Sequence, residues 1–263
     1  MNIICCVKQV PDTETKIQVE DGAIAEKGIN WIVNPYDEFA VEEAIRIKEK
    51  LGEGTVHIIS VGPERAQESI KSCLALGCEE ATHLCDPAFE GSDSMATAKI
   101  LAAAIEKMSF DLILCGKQGV DLDCMQVPVI LADLLGLPHA SVVTSMELSE
   151  DCKTATVQRE IEGGKAVMEL SLPAVVTCQK GLNEPRYATL KGIMAVKRKK
   201  IEATEAAAIG IDTSTVGAAG STTSIKEVSL PPERSAGKLV EGDTPQEQAA
   251  NLAKLLREEA KVL

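Results

Sequence analysis

Short apolar runs alternate with amphipathic segments of helical length through much of the chain. The strand-like runs lie at residues 2–8, 55–61, 81–85, 111–115 and 173–178. The helix-like segments lie at residues 37–51, 63–76 and 93–108, and a further one ends at Leu135. Apolar strands separated by helices favour right-handed crossover connections. The pattern therefore predicts an α/β fold with a mostly parallel sheet covered by helices.

Two later segments break this alternation. Residues 140–172 alternate apolar and polar side chains, with turn signals at Glu150-Asp151 and Gly163-Gly164, which indicates antiparallel hairpins attached to the sheet. Residues 205–237 are rich in Ala, Gly, Ser and Thr and indicate an extended arm, which an amphipathic helix follows at 245–261. We therefore expect an α/β domain over residues 1–204 and a C-terminal arm and helix over 205–263.

Charge and composition exclude several function classes. The formal net charge is −13 and aromatic residues make up 2%, so binding of nucleic acid is not expected. The nine cysteines include no CxxC pair and the three histidines are far apart, so neither a metal site nor a catalytic nucleophile is expected. No apolar run is long enough to span a bilayer. These features are typical of a protein of the reducing cytoplasm.

The loop at 116–126, GKQGVDLDCMQ, follows a predicted parallel strand. Open α/β sheets bind ligands at that end of the strands, and the helix after the loop offers free N–H groups to a phosphate. The loop is neither a P-loop nor a GxGxxG fingerprint. From its residues alone, nucleotide binding and an ordinary strand-to-helix connection are equally supported.

A second unusual stretch lies at 183–200, NEPRYATLKGIMAVKRKK. Apolar side chains stand here in a polar, basic segment that ends in Lys197-Arg198-Lys199-Lys200. One interpretation is a docking loop with an exposed hydrophobic anchor. The other is a solvated loop or helix whose apolar residues face the core, and the residues alone favour this second interpretation.

Five blocks in the same order resemble electron transfer flavoprotein beta subunits. They are VKQVPD at 7–12, NPYDEFAVEEAIRIKE at 34–49, the loop at 116–126, LPAVVT at 172–177 with LNEPRYATL at 182–190, and PPERSAGK at 231–238. The resemblance implies a doubly wound sheet of the adenine-nucleotide-hydrolase-like, Rossmann-like type with a hairpin extension and a C-terminal arm.

The resemblance also implies cofactors and partners. The chain would form a heterodimer with an alpha subunit, which carries the redox FAD, and would bury AMP in a structural role. As an electron carrier rather than an enzyme, the complex would take electrons from acyl-CoA dehydrogenases and pass them to a membrane quinone oxidoreductase. The cofactor contacts implied are Cys6, Asn34, Pro35, Tyr36, Asp37, Val61, Cys115, Gly116, Lys117, Gln118, Gly119, Val120, Asp121, Leu122, Asp123, Cys124, Met125 and Gln126.

The same resemblance assigns the stretch at 183–194 to a loop that docks partner flavoenzymes. The implied docking residues are Asn183, Glu184, Pro185, Arg186, Tyr187, Leu190, Ile193 and Met194, with Leu190 as the anchor. This raises the docking interpretation above the solvated one.

The chain departs from the family pattern at several positions. Ala195 and Arg198 stand where animal members have lysines, and Pro128 stands where a glycine is usual. Some members bind a second FAD in place of AMP and react with NADH in electron bifurcation, with a loop that reads DGDxAQVG. This chain reads DLDCMQVP, which favours the AMP-binding group. A stand-alone nucleotide-binding protein of the stress-protein kind is the remaining alternative.

Overall fold

The computed structural model describes residues 1–232 and 236–263. The strands are β1 Asn2–Cys6, β2 Gln9–Pro11, β3 Val19–Glu20, β4 Ala23–Ile24, β5 Trp31–Val33, β6 Thr55–Val61, β7 Glu80–Leu84, β8 Leu112–Gly116, β9 His139–Leu148, β10 Thr154–Ile161, β11 Gly164–Ser171, β12 Ala174–Cys178 and β13 Ala203–Thr204. The helices are α1 Pro35–Leu51, α2 Gln67–Leu76, α3 Ser94–Ile105, α4 Val127–Leu134, α5 Leu190–Val196, α6 Ala206–Ile209, α7 Gly217–Gly220 and α8 Pro245–Glu258.

A nine-stranded sheet organises the main unit, in the order β11-β10-β9-β12-β8-β1-β6-β7-β13. Every pairing from β9 through β12, β8, β1, β6 and β7 to β13 is parallel, and only β9-β10 and β10-β11 are antiparallel. The α/β fold with a mostly parallel, doubly wound sheet is therefore confirmed, as is the hairpin extension.

Strand β8 has five consecutive buried residues, LILCG, because helices cover both faces of the sheet. Ile3 and Cys5 of β1 pack in the same cluster as the buried side chains of α1 and α2. Ile4, between them, packs in the cluster formed with α3 and α4. The alternation of side chains along a strand thus gives each pair of helices its own apolar layer.

Local signals explain where α1 begins and ends. Pro35 occupies its first turn, where a missing N–H costs nothing, and Asp37 and Glu38 add negative charge at the same end. Gly52 ends the helix in the left-handed conformation at φ 75°, and its N–H donates to the Lys48 carbonyl. The first turn of α1 lies beside the end of β1, because Asp37 accepts a hydrogen bond from the Lys8 amide at 2.7 Å.

The chain divides into two compact units. One comprises residues 1–17 and 24–226, and the other comprises 18–23 and 227–263. The extended arm expected from residue 205 is therefore not extended over its first part, since Ala206, Ile209 and Val216 are buried in the cluster of α3 and α4. Asp93 holds this part by accepting hydrogen bonds from the amides of Thr222 and Thr223 at 2.8 and 3.0 Å.

Candidate functional site

The strand order places a topological switch point between β1 and β8. From β1 the chain continues to β6 on one side, whereas from β8 it continues through α4 to β9 on the other, and β12 later fills the place between β9 and β8. Cys6 at the end of β1 lies opposite Cys115 of β8 in the parallel register. The loops that leave the two strands diverge here, which creates the crevice where open α/β sheets bind ligands.

Asp37 is the central residue of this crevice. Its buried carboxylate accepts hydrogen bonds from the Lys8 amide at 2.7 Å, the Asn34 side chain at 2.9 Å and the Gly116 amide at 3.0 Å. Burial raises the pKa of Asp37 to about 7, against the opposing effect of these three donors. One side chain thus joins the ends of β1 and β8 to the start of α1.

Asn34 extends the same network to the loop at 116–126. Its amide nitrogen donates to the Gln118 carbonyl at 2.8 Å, and its amide oxygen accepts from the Val120 N–H at 3.1 Å. Asn34 is itself 1% exposed, while the loop atoms that it binds are partly exposed. The side chain therefore substitutes for a strand partner and fixes the first half of the loop.

Two glycines allow the loop to approach its neighbours closely. A Cβ on Gly116 would lie 2.2 Å from Asp37 Oδ1 and 2.7 Å from the Tyr36 carbonyl carbon. A Cβ on Gly119 would lie 2.6 Å from Asp121 Oδ1. A Cβ at Gly116 would meet backbone, so that position needs glycine, whereas at Gly119 it would meet only the ends of the Asp121 and Lys8 side chains.

Charged and aromatic groups line the opening of the crevice. Lys8 Nζ contacts Asp121 Oδ2 at 2.6 Å, and Lys117 Nζ lies 4.8 Å from the centre of the Tyr36 ring. The Gln118 side chain donates to Asp123 within the loop. Two cations and two carboxylates therefore surround the place where a polar ligand would enter.

The far end of the loop leads into α4. Asp123 and Met125 have φ angles of 52° and 55°, in the left-handed region, which turns the backbone just before the helix. Gln126 precedes the first turn without a side-chain cap, and Pro128 contributes no N–H there. The remaining amides of this turn are the natural donors for a phosphate.

The buried thiol of Cys115 at this edge is not suited to nucleophilic chemistry. A hydrogen bond with Cys6 and burial raise the pKa of Cys115, so it stays protonated near neutral pH. Val61 ends the neighbouring strand β6 and is half-buried, and Cys124 is exposed on the loop. No group of three or more His, Cys, Asp or Glu in residues 1–232 and 236–263 is placed to hold a metal ion.

All the residues implied for the cofactor thus lie at one edge of the sheet or on the loop that leaves it. They belong to the end of β1, the first turn of α1, the end of β6, and the end of β8 with its loop. Lys8 also lies at this edge, although it was not among them. Its position directly after an apolar strand is the sequence signal that could have identified it.

The residues implied for docking form a second cluster, against α1 and α2. Arg186 binds two carboxylates of α1, Glu42 through Nε at 2.9 Å and Glu49 through Nη1 at 2.7 Å. These hydrogen bonds raise the pKa of Arg186 and lower that of Glu49. Asn183 is buried and donates to the Phe39 carbonyl at 3.0 Å and to Glu43 Oε2 at 2.8 Å.

Beyond Arg186 the chain exposes its apolar side chains. Tyr187 is 96%, Leu190 74% and Met194 67% exposed, and Ile193 is also exposed. Leu190, Ile193 and Met194 share one face of α5 because they are three and four residues apart. Glu184 is exposed and Pro185 half-buried. The core-facing interpretation of these apolar residues is therefore wrong, and the residues form an exposed apolar patch, Tyr187 with Leu190, Ile193 and Met194.

The opposite face of α5 is held tightly. The Thr189 hydroxyl accepts from the Gly192 amide at 3.1 Å and caps the helix. A Cβ on Gly192 would lie 2.2 Å from the carbonyl oxygen of Ala75 in α2. The apolar patch is thus presented by a helix that packs directly on a neighbouring backbone.

Comparison with known proteins relates the chain to one family. The family model described as "Electron transfer flavoprotein domain" matches residues 21–209. The chain belongs to the electron transfer flavoprotein family. It is 39% identical to the electron transfer flavoprotein subunit beta of Bacillus subtilis, over 100% of both chains. It is 42% identical to the subunit beta of Syntrophomonas wolfei, over 100% of this chain and 98% of the relative.

A third relative has a more specific name. The caffeyl-CoA reductase-Etf complex subunit CarD of Acetobacterium woodii is 37% identical over 98% of both chains. The resemblance to electron transfer flavoprotein beta subunits is confirmed by these relatives, and the chain has the electron-transfer role of its family. Among the described residues, no helix has the length and apolar character needed to cross a bilayer.

Proposed function

We propose that this chain is the beta subunit of a heterodimeric electron transfer flavoprotein that carries electrons and does not catalyse a reaction of its own. The alpha subunit would hold the redox FAD. The complex would accept electrons from acyl-CoA dehydrogenases in fatty acid oxidation and pass them to a membrane quinone oxidoreductase. The observation that carries the proposal is the exposed apolar patch on α5, in a chain similar over its full length to beta subunits.

The crevice at β1 and β8 fits AMP in a structural role. Its donors are main-chain amides and two lysines, and Gly116 allows the backbone approach that its geometry needs. A hydrogen bond with Cys6 and burial raise the pKa of the Cys115 thiol, which suits a ligand that is held rather than converted. The bound flavin supplies the redox chemistry, since it accepts and donates electrons. This chain would hold the nucleotide, the alpha subunit and the dehydrogenase in place.

The patch on α5 fits a docking contact that must dissociate at each turnover. Leu190 buries its exposed side chain only when a partner covers it, and a fully buried leucine contributes about 2 kcal/mol. Arg186 is already bound to Glu42 and Glu49, so the contact that Leu190 offers is apolar, with exposed Lys191 and the basic residues 197–200 beside it. Such a contact is modest enough for an electron carrier that changes partners.

The C-terminal segment has a separate role in this proposal. We retain residues 1–204 as the functional α/β domain with both clusters; of residues 205–263, the part up to 226 belongs to the same compact unit, and the part from 227 is proposed to pack on the alpha subunit. Part of the PPERSAGK block, at 233–235, lies outside the described residues. In α8 no residue is buried, although Leu252, Leu255 and Leu256 lie on one face, which leaves that face available to a partner. All nine cysteines are free, which suits the cytoplasm.

The alternative is a subunit of a bifurcating, NADH-linked electron transfer flavoprotein with a second FAD in place of AMP. The relative named as part of a caffeyl-CoA reductase-Etf complex supports keeping it. The two candidates differ in the nucleotide that occupies the crevice. Acid release and mass analysis of the nucleotide bound to the purified heterodimer distinguish them, since AMP supports the first and a second FAD the alternative.

The docking role is tested with Leu190→Ala in the heterodimer. We expect slower reduction by an acyl-CoA dehydrogenase at unchanged flavin content. Ile24→Ala, which truncates another exposed apolar side chain, is the matched control and should reduce at the wild-type rate. An unchanged rate in Leu190→Ala contradicts the docking role. Failure of the chain to associate with any flavin-bearing subunit contradicts the whole proposal.

A further inference from the structure

Lys8 joins the two strands of the switch point through its backbone and its side chain. Its amide donates to Asp37 Oδ2 at 2.7 Å, and its carbonyl accepts from the Asn34 amide at 2.9 Å. The backbone position is therefore fixed. From there the side chain crosses to the loop at 116–126, where Nζ contacts Asp121 Oδ1 at 2.8 Å and Oδ2 at 2.6 Å.

Without Lys8, the charge at the opening of the crevice would be unfavourable to an anion. Asp121 and Asp123 lie on the loop itself, and Asp37 lies beneath it. Lys8 and Lys117 are the cations found beside the loop at 116–126, and Lys117 already lies over the Tyr36 ring. Lys8 compensates the carboxylate of Asp121, and its side chain remains 44% exposed, so the ammonium is accessible to a ligand.

We propose that Lys8 gives this crevice its preference for a nucleoside that carries a 5′-phosphate over the unphosphorylated nucleoside. The proposal rests on the proposed nucleotide site and adds the residue that selects among its ligands. In the structure the ammonium is paired with Asp121. When a phosphate enters, the ammonium exchanges part of this pairing for a charge-assisted hydrogen bond to a phosphate oxygen.

The position of Gly119 makes this exchange local. A Cβ at Gly119 would lie 3.3 Å from both Cδ and Nζ of Lys8, so the lysine side chain runs along the loop backbone. Only the last bonds of the side chain need to rotate for the ammonium to turn from Asp121 to a ligand. The backbone contacts with Asp37 and Asn34 stay as they are.

Binding of AMP and of adenosine to the full-length chain tests the proposal, after bound nucleotide has been removed on charcoal. Isothermal titration calorimetry measures the affinity for AMP and for adenosine in the wild type, in Lys8→Met and in Asp121→Asn. In Lys8→Met we expect AMP to bind about tenfold more weakly, the scale of one charge-assisted hydrogen bond, while adenosine binds as before. In Asp121→Asn, where the competing carboxylate is removed, AMP should bind at least as tightly as in the wild type.

The variants distinguish a ligand-selecting lysine from a purely structural one. If Lys8 only held the loop, Lys8→Met and Asp121→Asn would weaken AMP and adenosine alike, and that result overturns the proposal. Equal AMP affinity in Lys8→Met and the wild type also overturns it, while leaving the nucleotide site intact. If the wild type binds neither ligand, the nucleotide site itself fails. Lys165→Met, at an exposed hairpin position, is the matched control and thermal unfolding monitors the fold.

Discussion

The carboxylate of Asp37 accepts a hydrogen bond from the amide of Gly116, 79 residues further along the chain, at a distance of 3.0 Å. This bond joins the first turn of α1 to the end of β8. It also brings the two backbones so close that only glycine fits at position 116. Substitutions at either residue should therefore affect both the fold and the nucleotide crevice.

Gly116→Ala should destabilise the protein by about 2–3 kcal/mol, because the added methyl group would overlap the Asp37 carboxylate and force the backbones apart. Urea unfolding of the purified chain measures the effect. Gly164→Ala is the matched control, since a Cβ there meets nothing within 4 Å, and it should leave the unfolding midpoint nearly unchanged. Equal stability of the two variants would contradict the close approach at Gly116.

Asp37 should make stability depend on pH. Its pKa is about 7 in the folded chain and about 4 when unfolded, so the folded state binds a proton that the unfolded state releases. Its contribution is therefore fully present below about pH 4, falls as the pH rises to about 7, and is then constant. The stability of the wild type relative to Asp37→Asn should fall between about pH 4 and about pH 7 in urea unfolding and change little above that.

A rise of this relative stability with pH would also be informative. If the wild type gained stability relative to Asp37→Asn as the pH rose, the three N–H donors would be holding the carboxylate ionised and outweighing its burial. The measurement thus decides between two effects that act on the same buried group.

Arg186→Met should loosen the docking loop without unfolding the sheet. The Glu42 side chain is 7% exposed, so loss of its partner leaves a nearly buried carboxylate unpaired and costs about 2 kcal/mol. Hydrogen exchange at residues 183–196 should accelerate, while exchange in β8 stays slow. Arg46→Met is the control, because Arg46 contacts Glu43 only at 3.8 Å and is half exposed. Unchanged exchange in Arg186→Met would show that the contacts of Arg186 with Glu42 and Glu49 do not hold the loop.

Gly192→Ala should impair docking by moving α5. The new methyl group would overlap the Ala75 carbonyl oxygen, so the helix must shift away from α2 and carry Leu190 with it. We expect slower reduction by an acyl-CoA dehydrogenase together with lower stability. Leu190→Ala, by contrast, removes a largely exposed side chain and should change the free energy of unfolding by less than about 0.5 kcal/mol. If Gly192→Ala reduces at the wild-type rate, the position of α5 does not matter for docking.

The fold could be predicted where periodicity carries the information. The apolar run expected at 111–115 became β8, shifted by one residue to Leu112–Gly116, because burial on both faces requires a continuous apolar strand. The segment at 205–226 was expected to be extended, and this was wrong because its sequence carries no periodic signal. Its buried residues Ala206 and Val216 are small and widely spaced, and they show neither strand nor helix periodicity.

The site could be predicted only in part. The placement of the loop at 116–126 follows from the rule for open parallel sheets, and the role of Asn34 to Asp37 came from the resemblance. The pairs that hold the clusters together could not be found from the sequence. Lys8 and Asp121 are 113 residues apart and Arg186 and Glu42 are 144 apart, and no local pattern encodes contacts over such distances.

Helix α1 sets the distance between the crevice and the docking loop. Asp37 in its first turn belongs to the nucleotide crevice, and Glu49 near its end holds Arg186 of the docking loop. Twelve residues of α-helix separate them by about 18 Å. Because Ala40, Val41 and Ala44 are fully buried against the sheet, this helix fixes the distance between the crevice and the docking loop, and in the proposed complex it would keep a bound nucleotide and a docked enzyme at a constant separation.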